Sequence, residues 1–129
     1  MSRMKKAIAG LVVLSLCSLV GVMWLISIER VHSRFDNYQG METSGIFEAG
    51  WLPPYLPKSA TNIREKHDID TNFVHATFEY EQQDKSSVID NCQIIEHQKK
   101  VTIFNCNYRG NEAVLKLYNN GFAEYSSLR

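Results

Sequence analysis

The chain has 129 residues, with 14 Lys and Arg against 14 Asp and Glu, so its formal net charge at pH 7 is zero. Arg3, Lys5 and Lys6 account for part of the basic side, and the remainder carries an excess of acid that argues against a nucleic-acid or anionic-lipid surface. Its length leaves room for one small domain beside a membrane segment, and none for a second.

Directly after the basic tip comes an apolar stretch, Ala7 to Ile28, without a charged residue. As a helix it would be about 33 Å long, enough to span a hydrocarbon core of about 30 Å. Arg30 and Arg34 follow the stretch, but Glu29 and Asp36 are interspersed with them. The shorter, purely basic flank is therefore expected to stay in the cytoplasm and the residues after Ile28 to lie outside. A cleaved secretory signal has a shorter apolar core followed by small residues, whereas this one ends in Trp24-Leu25-Ile26-Ser27-Ile28. Lipid attachment at Cys17 is disfavoured by the Leu16 before it, where bacterial processing wants a small residue. Cys17 reads as a small apolar residue in the bilayer.

Residues 29–45 read as a stalk. Val31, Phe35 and Tyr38 stand at helical spacing, so the membrane helix is expected to run on for a few turns until Gly40 and Gly45 loosen it. Residues 46–129 are then the folded domain. Its first segment, Gly50-Trp51-Leu52-Pro53-Pro54-Tyr55-Leu56-Pro57, holds all three prolines and cannot be a regular helix or central strand. Trp51, Tyr55 and Leu56 either dock a partner or cover an edge of the domain's own core.

From Thr61 the pattern becomes that of strands. Residues 73–80 alternate, with Val74, Ala76, Phe78 and Tyr80 on one face, and residues 61–67 are expected to pair with them through a turn at Asp68 to Asn72. Asp84 is a suitable N-cap for a short helix over residues 85–92. Strands are then expected at 101–108, 113–118 and 122–125, separated by Arg109-Gly110-Asn111 and Asn119-Asn120-Gly121. The fold class is α+β: an N-terminal transmembrane helix followed by a small antiparallel sheet with one short helix.

Cys92 and Cys106 are an even pair outside the span and in an oxidising compartment are expected to join; two buried free thiols are the alternative. A loop of this size would add on the order of 3 kcal/mol. The absence of an Asn-x-Ser/Thr acceptor favours a bacterial envelope over a eukaryotic secretory route.

Chemistry-bearing patterns are sparse. Asp68-x-Asp70-x-Asn72 with Glu79 at the twelfth position has the ligand spacing of a calcium loop, but Phe73 stands where that loop needs Gly, and a polar hairpin turn explains the same residues. His32, His67, His75 and His97 lack metal spacing and read as solvated, and His67 and His75 could meet only in a register that puts them on one face. Ser59, Ser86 and Ser87 have no activating context. Glu79 and Glu81 are expected to share a strand face, where solvated carboxylates are commoner than an acid–base pair. No cofactor fingerprint is present, and the chain is not expected to be an enzyme.

The run Gly50-Trp51-Leu52-Pro53, Leu56-Pro57-x-Ser59-Ala60-x-x-Ile63, then His67-Asp68-Ile69-Asp70-Thr71-Asn72 resembles a pattern carried by small bacterial membrane-anchored proteins of unassigned function. The resemblance covers about residues 45–80 and implies a bacterial origin and an extracytoplasmic domain; it carries no activity with it. The expected protein is a single-pass inner-membrane protein whose domain is a binding or accessory module for an envelope protein partner. The alternative is a calcium- or metal-responsive domain built on Asp68, Asp70 and Asn72.

Overall fold

The computed structural model describes residues 2–28 and 30–128. Met1, Glu29 and Arg129, which bound the expected tip, stalk and domain, lie outside the described residues. The chain divides into two compact units, Met1–Arg30 and Val31–Arg129. The first holds one α-helix, α1 (Ser2–Ile28), of which Ser2–Leu25 is long and apolar enough to cross a membrane. Its apolar side chains from Ile8 to Leu25 are exposed within the chain, as an anchor or a signal sequence requires and a core helix does not.

The second unit is a seven-stranded antiparallel sheet with two short helices, an α+β arrangement. In chain order its elements are β1 (Arg30–Asn37), α2 (Tyr38–Thr43), β2 (Thr61–Asp68), β3 (Val74–Glu79), α3 (Ser86–Asn91), β4 (Cys92–His97), β5 (Val101–Tyr108), β6 (Asn111–Tyr118) and β7 (Phe122–Ser127). Across the sheet the order is β1-β2-β3-β7-β6-β5-β4. The expected hairpin of residues 61–67 with 73–80 is present, Glu65 opposite Ala76 and His67 opposite Val74. So is the meander of β5, β6 and β7. The β5–β6 connection is a two-residue turn in which Arg109 and Gly110 both take positive φ, 51° and 82°, matching the twist of the strands it joins. Gly121 has φ 86°, and a Cβ there would stand 3.1 Å from the Tyr80 carbonyl, so only glycine closes that turn without displacement.

Alternation sends one face of every central strand inward. In one row of this face Phe78 and Leu117 flank the small Ala123, and in the next Ala76 and Leu115 flank Tyr125. What covers this face is the proline-rich segment. Ile46, Phe47, Leu52, Leu56 and Ala60 are buried in the core cluster, Pro53 and Pro57 are fully buried, and Tyr38, Met41 and Val88 complete the layer from α2 and α3.

Several expectations are corrected. The stalk is not a continued helix: residues 30–37 form edge strand β1, next to β2. Val31, Ser33 and Phe35 are half-buried between exposed neighbours, a period of two. An i, i+4 spacing such as Val31 and Phe35 satisfies both periods, which is why the pattern misled. Tyr38 instead opens α2, capped by Asn37, whose Oδ1 accepts from the Gly40 N–H at 2.9 Å. Asp84 does not cap α3; its Oδ2 accepts from the Ser59 N–H at 2.9 Å, and Lys85 is the cap residue without a side-chain bond. The chain also leaves α3 directly into β4, a strand that no sequence signal announced. Its residues are almost all exposed, so it carries no alternation, and only its ladder to β5 defines it.

Cys92 and Cys106 stand directly opposite each other on β4 and β5, with Cα atoms 4.5 Å apart, and are joined by a disulfide. That separation is the narrow pair of an antiparallel ladder, which brings the two Cβ atoms within bridging range. Cys17, in α1, is free. Cys92→Ser is expected to lower the stability of the domain by about 2 to 5 kcal/mol, read as a lower denaturant midpoint for the full chain in detergent.

Candidate functional site

Glu65 and His67 are two apart on β2, so both point to the covered face, where a sequence reading expects apolar residues. Glu65 is 3% exposed and His67 9%. The Nδ1 of His67 lies 2.6 Å from Oε1 of Glu65. Trp51 stacks on the imidazole with ring centroids 3.9 Å apart and planes within 16°. His67 is therefore not the solvated histidine expected. Pairing to a carboxylate two residues away and an indole lid from a loop sixteen residues upstream supply what burial needs, and the second of these is invisible to local sequence.

The second carboxylate oxygen, Glu65 Oε2, is buried without a hydrogen-bond partner among the described residues. An orphaned buried acceptor costs on the order of 1 to 3 kcal/mol. Burial accordingly pushes the Glu65 carboxyl above the usual carboxylate range. The His67 ring, the Ser33 hydroxyl and the charge of His32 pull in the opposite direction without overcoming it. A carboxylate-oriented imidazole is the arrangement of a general base or a metal ligand. Ser33 nevertheless lies against the carboxylate, whereas a nucleophilic relay places the ring between hydroxyl and acid. Among the described residues no three His, Cys, Asp or Glu side chains converge on a metal position.

Trp51 also lines a cleft of about 200 Å³ where the β2–β3 turn, the β5–β6 turn and the end of β7 converge, together with Asn72, Tyr108, Arg109, Asn111 and Ser127. A second hollow of about 340 Å³ adjoins it across Asn72, Asn111 and Ser127 and reaches Glu112 and Leu128. Arg109 donates from Nη1 to the Glu48 carbonyl at 2.7 Å, and its guanidinium stands 5.3 Å from the Tyr108 ring centre. The Tyr108 hydroxyl donates to the Phe47 carbonyl at 3.0 Å. Together these bonds tie the covering segment to the β5–β6 turn. Tyr55 meets Tyr108 edge-on at 6.3 Å, and burial, then the neighbouring Tyr108, push its hydroxyl up to about 12.

Of the three residues expected to meet a partner, Trp51 and Tyr55 keep part of their surface, whereas Leu56 is fully buried and offers none. In a loop without periodicity, spacing cannot say which side chain points inward, and here Leu56 does.

The oxygen set of the calcium reading is dispersed. Asp68 Oδ1 accepts from the N–H groups of Asp70, at 3.0 Å, and Thr71, at 3.2 Å, closing a turn on itself. Asn72 takes the left-handed conformation, φ 58°. Glu79 pairs with Thr61 at the other end of β3, about 20 Å along the strand from that turn. His75 is opposite Lys66, one position out of phase with His67, so the two rings occupy opposite faces. His75 lies 3.9 Å from Glu124, and His97 Nδ1 lies 2.9 Å from the Thr102 hydroxyl. Glu81 does not share a strand face with Glu79, because β3 ends at Glu79 and the Glu81 N–H turns to the Ser59 hydroxyl at 3.0 Å. Ser87 donates to the Tyr55 carbonyl at 2.9 Å, holding α3 to the covering segment.

Residues 29–79 match the family model described as the YbbD head domain. The matched segment takes in β1, α2, the proline-rich cover, β2 and β3, and with them Trp51, Glu65 and His67, and it ends before the disulfide. No curated protein and no solved structure matches the chain.

The pH dependence of stability reports on Glu65. Its folded value is raised, so its contribution to stability is complete below the ordinary carboxylate range and is lost as pH rises through the raised value. Glu65→Gln removes that loss. The melting temperature of the variant relative to the wild type is expected to increase between pH 4 and pH 8, as followed by circular dichroism across that range. Because Asp68 Oδ1 is engaged by two backbone N–H groups and Glu79 stands at the far end of β3, millimolar calcium is expected to give no saturable heat in titration calorimetry. A signal abolished by Asp70→Ala would restore the metal reading.

Proposed function

We propose that the chain is a single-pass protein of a bacterial inner membrane whose disulfide-bonded domain lies outside the cytoplasm and serves as a binding or accessory module, without catalysis. The observation that carries this reading is the pairing of an exposed apolar helix behind a basic tip with a domain closed by a disulfide. The first belongs in a bilayer with its basic end inside, and the second in an oxidising space. The covered face of the sheet is filled by its own side chains, and the hollows at the turn end are partly open and lined by polar and apolar groups, which supports a recognition module over an enzyme pocket. Trp51 and Tyr55 supply the partly exposed aromatic surface, and the match to a head domain over residues 29–79 is compatible with it.

A reporter enzyme active only outside the cytoplasm, fused after Arg129, is expected to be active. A fusion active only as a cytoplasmic reporter would reverse the orientation and remove the compartment from which the module reading draws its disulfide.

A further inference from the structure

Alternation gives β1 and β2 two faces. On the covered face Ser33 of β1 lies against Glu65 of β2, and Val31, Phe35, Ile63 and His67 share that phase. Their chain neighbours therefore belong to the other face and are exposed there: His32 and Arg34 on β1, Arg64 and Lys66 on β2. The row continues onto β3, where His75 stands opposite Lys66 and Thr77 opposite Arg64. Among the described residues no carboxylate lies within ion-pair distance of Arg34, Arg64 or Lys66, while Glu124 lies 3.9 Å from His75. Asp36 and Asp68 stand at opposite ends of the two strands, so the cations are gathered at the middle.

Charges on an edge strand are a common defence against pairing with another chain. His32, Arg34 and Asp36 on β1 already supply that defence. It does not account for Arg64 and Lys66 on β2, an inner strand whose backbone is paired on both sides. Two rows of cations on neighbouring strands repel each other, and an anion laid along them relieves the repulsion. β1 ends the sheet, and among the described residues no strand stands on its other side, so one row of its N–H and C=O groups is open to a further strand. A strand added there would lie about 4.8 Å from β1 and about 10 Å from β2. Its alternate side chains on the open face would meet His32 and Arg34 directly and stand within about one Debye length of Arg64 and Lys66. Those on the other face would extend the cover over Val31 and Phe35, both only half-buried. A second copy of the same edge would bring cations against cations and is repelled. Glu79, Glu96 and Glu124 stand elsewhere on the open face, so it is not a broad basic surface for a polyanion.

We propose that the open edge of β1 takes up an extended segment of a protein partner as a further strand, with acidic side chains at alternate positions over His32 and Arg34 and apolar ones over Val31 and Phe35. The inference rests on the binding-module reading and deepens it by naming the chemistry of the partner. The surface is separate from Trp51 and Tyr55, which belong to the cover on the opposite face.

The test uses the full chain in a zwitterionic detergent and follows the fluorescence anisotropy of a dye-labelled peptide of alternating glutamate and valine, about eight residues long. Saturable binding is expected. The double variant Arg34→Glu, Arg64→Glu is expected to weaken it about tenfold, and a lysine and valine peptide of the same length to bind about tenfold more weakly than the glutamate one. Two adjacent prolines at the centre of the glutamate peptide, one of which must fall on a ladder position, are expected to weaken it at least threefold. Lys99→Glu with Lys100→Glu changes the net charge equally at exposed positions in a distant turn and is expected to leave the affinity within twofold. All four substituted positions are exposed, so the Cys92–Cys106 disulfide and the circular dichroism are expected to be unchanged in both double variants. Absence of binding, equal binding of the two peptides, or an equal loss in the two double variants would overturn the proposal. Undiminished binding of the proline peptide would overturn the added strand. None of these outcomes touches the aromatic surface of the cover or the topology of the chain, which the reporter fusion tests separately.

Discussion

A sheet of seven strands presents a broad apolar face, and this chain has two six-residue helices in its domain with which to shield it. The rest of the structure depends on how that deficit is met. Residues 45–60, with three prolines and no regular structure, lie across the face as the second layer. Proline suits the task, since a segment that cannot join a ladder loses little by having no N–H to offer and gives up less conformational freedom on ordering. The segment is fastened near its start and at its middle by side chains that reach its carbonyls. Tyr108 and Arg109 hold Phe47 and Glu48, Tyr38 holds Pro54, and Ser87 holds Tyr55.

The same cover creates the most unusual chemistry in the domain. By laying Trp51 over His67 it closes the edge of the core at the one place where β2 points a carboxylate and an imidazole inward. A buried pair of this kind is poor material for stability, because removing both groups from water offsets most of their attraction. Among the described residues Glu65 keeps one oxygen without a partner, and it has a raised affinity for its proton. The pair therefore joins three segments, β1 through Ser33, β2 itself and the cover through Trp51, in an arrangement sensitive to protonation.

At the opposite edge of the sheet the constraint is covalent. β4 is almost wholly exposed, with Ile94 and Ile95 on its surface, and contributes little apolar burial. The disulfide to β5 and the irregular register between Ile94 and Glu96 hold it in the ladder and bend its free edge, a common defence of an edge strand against pairing with another chain. Each edge of the sheet is thus secured by a different means: β1 by its position beside β2 and the cover, β4 by a covalent bond.

What the sequence determined by itself was whatever depends on neighbours within a few residues. The apolar helix, the alternation of β3, the glycine turns of the β5–β6–β7 meander and the pairing of the only two cysteines outside the span were all legible, as was the α+β class. Tertiary structure decided the matters that local pattern leaves degenerate. Val31 and Phe35 suit a helix or a strand until β2 offers a ladder, and β4 has no periodicity until β5 pairs with it. Leu56 turns inward and Trp51 to the edge only because the cover crosses the sheet where it does. The candidate site belongs to the same class. Glu65 and His67 alternate as any polar pair on a strand would, and their burial follows from the phase of the strand set by Ile63 together with an indole brought from elsewhere in the chain. Local sequence specifies backbone preference and period, whereas burial is a property of what arrives from a distance, and it is burial that turns these side chains into a site.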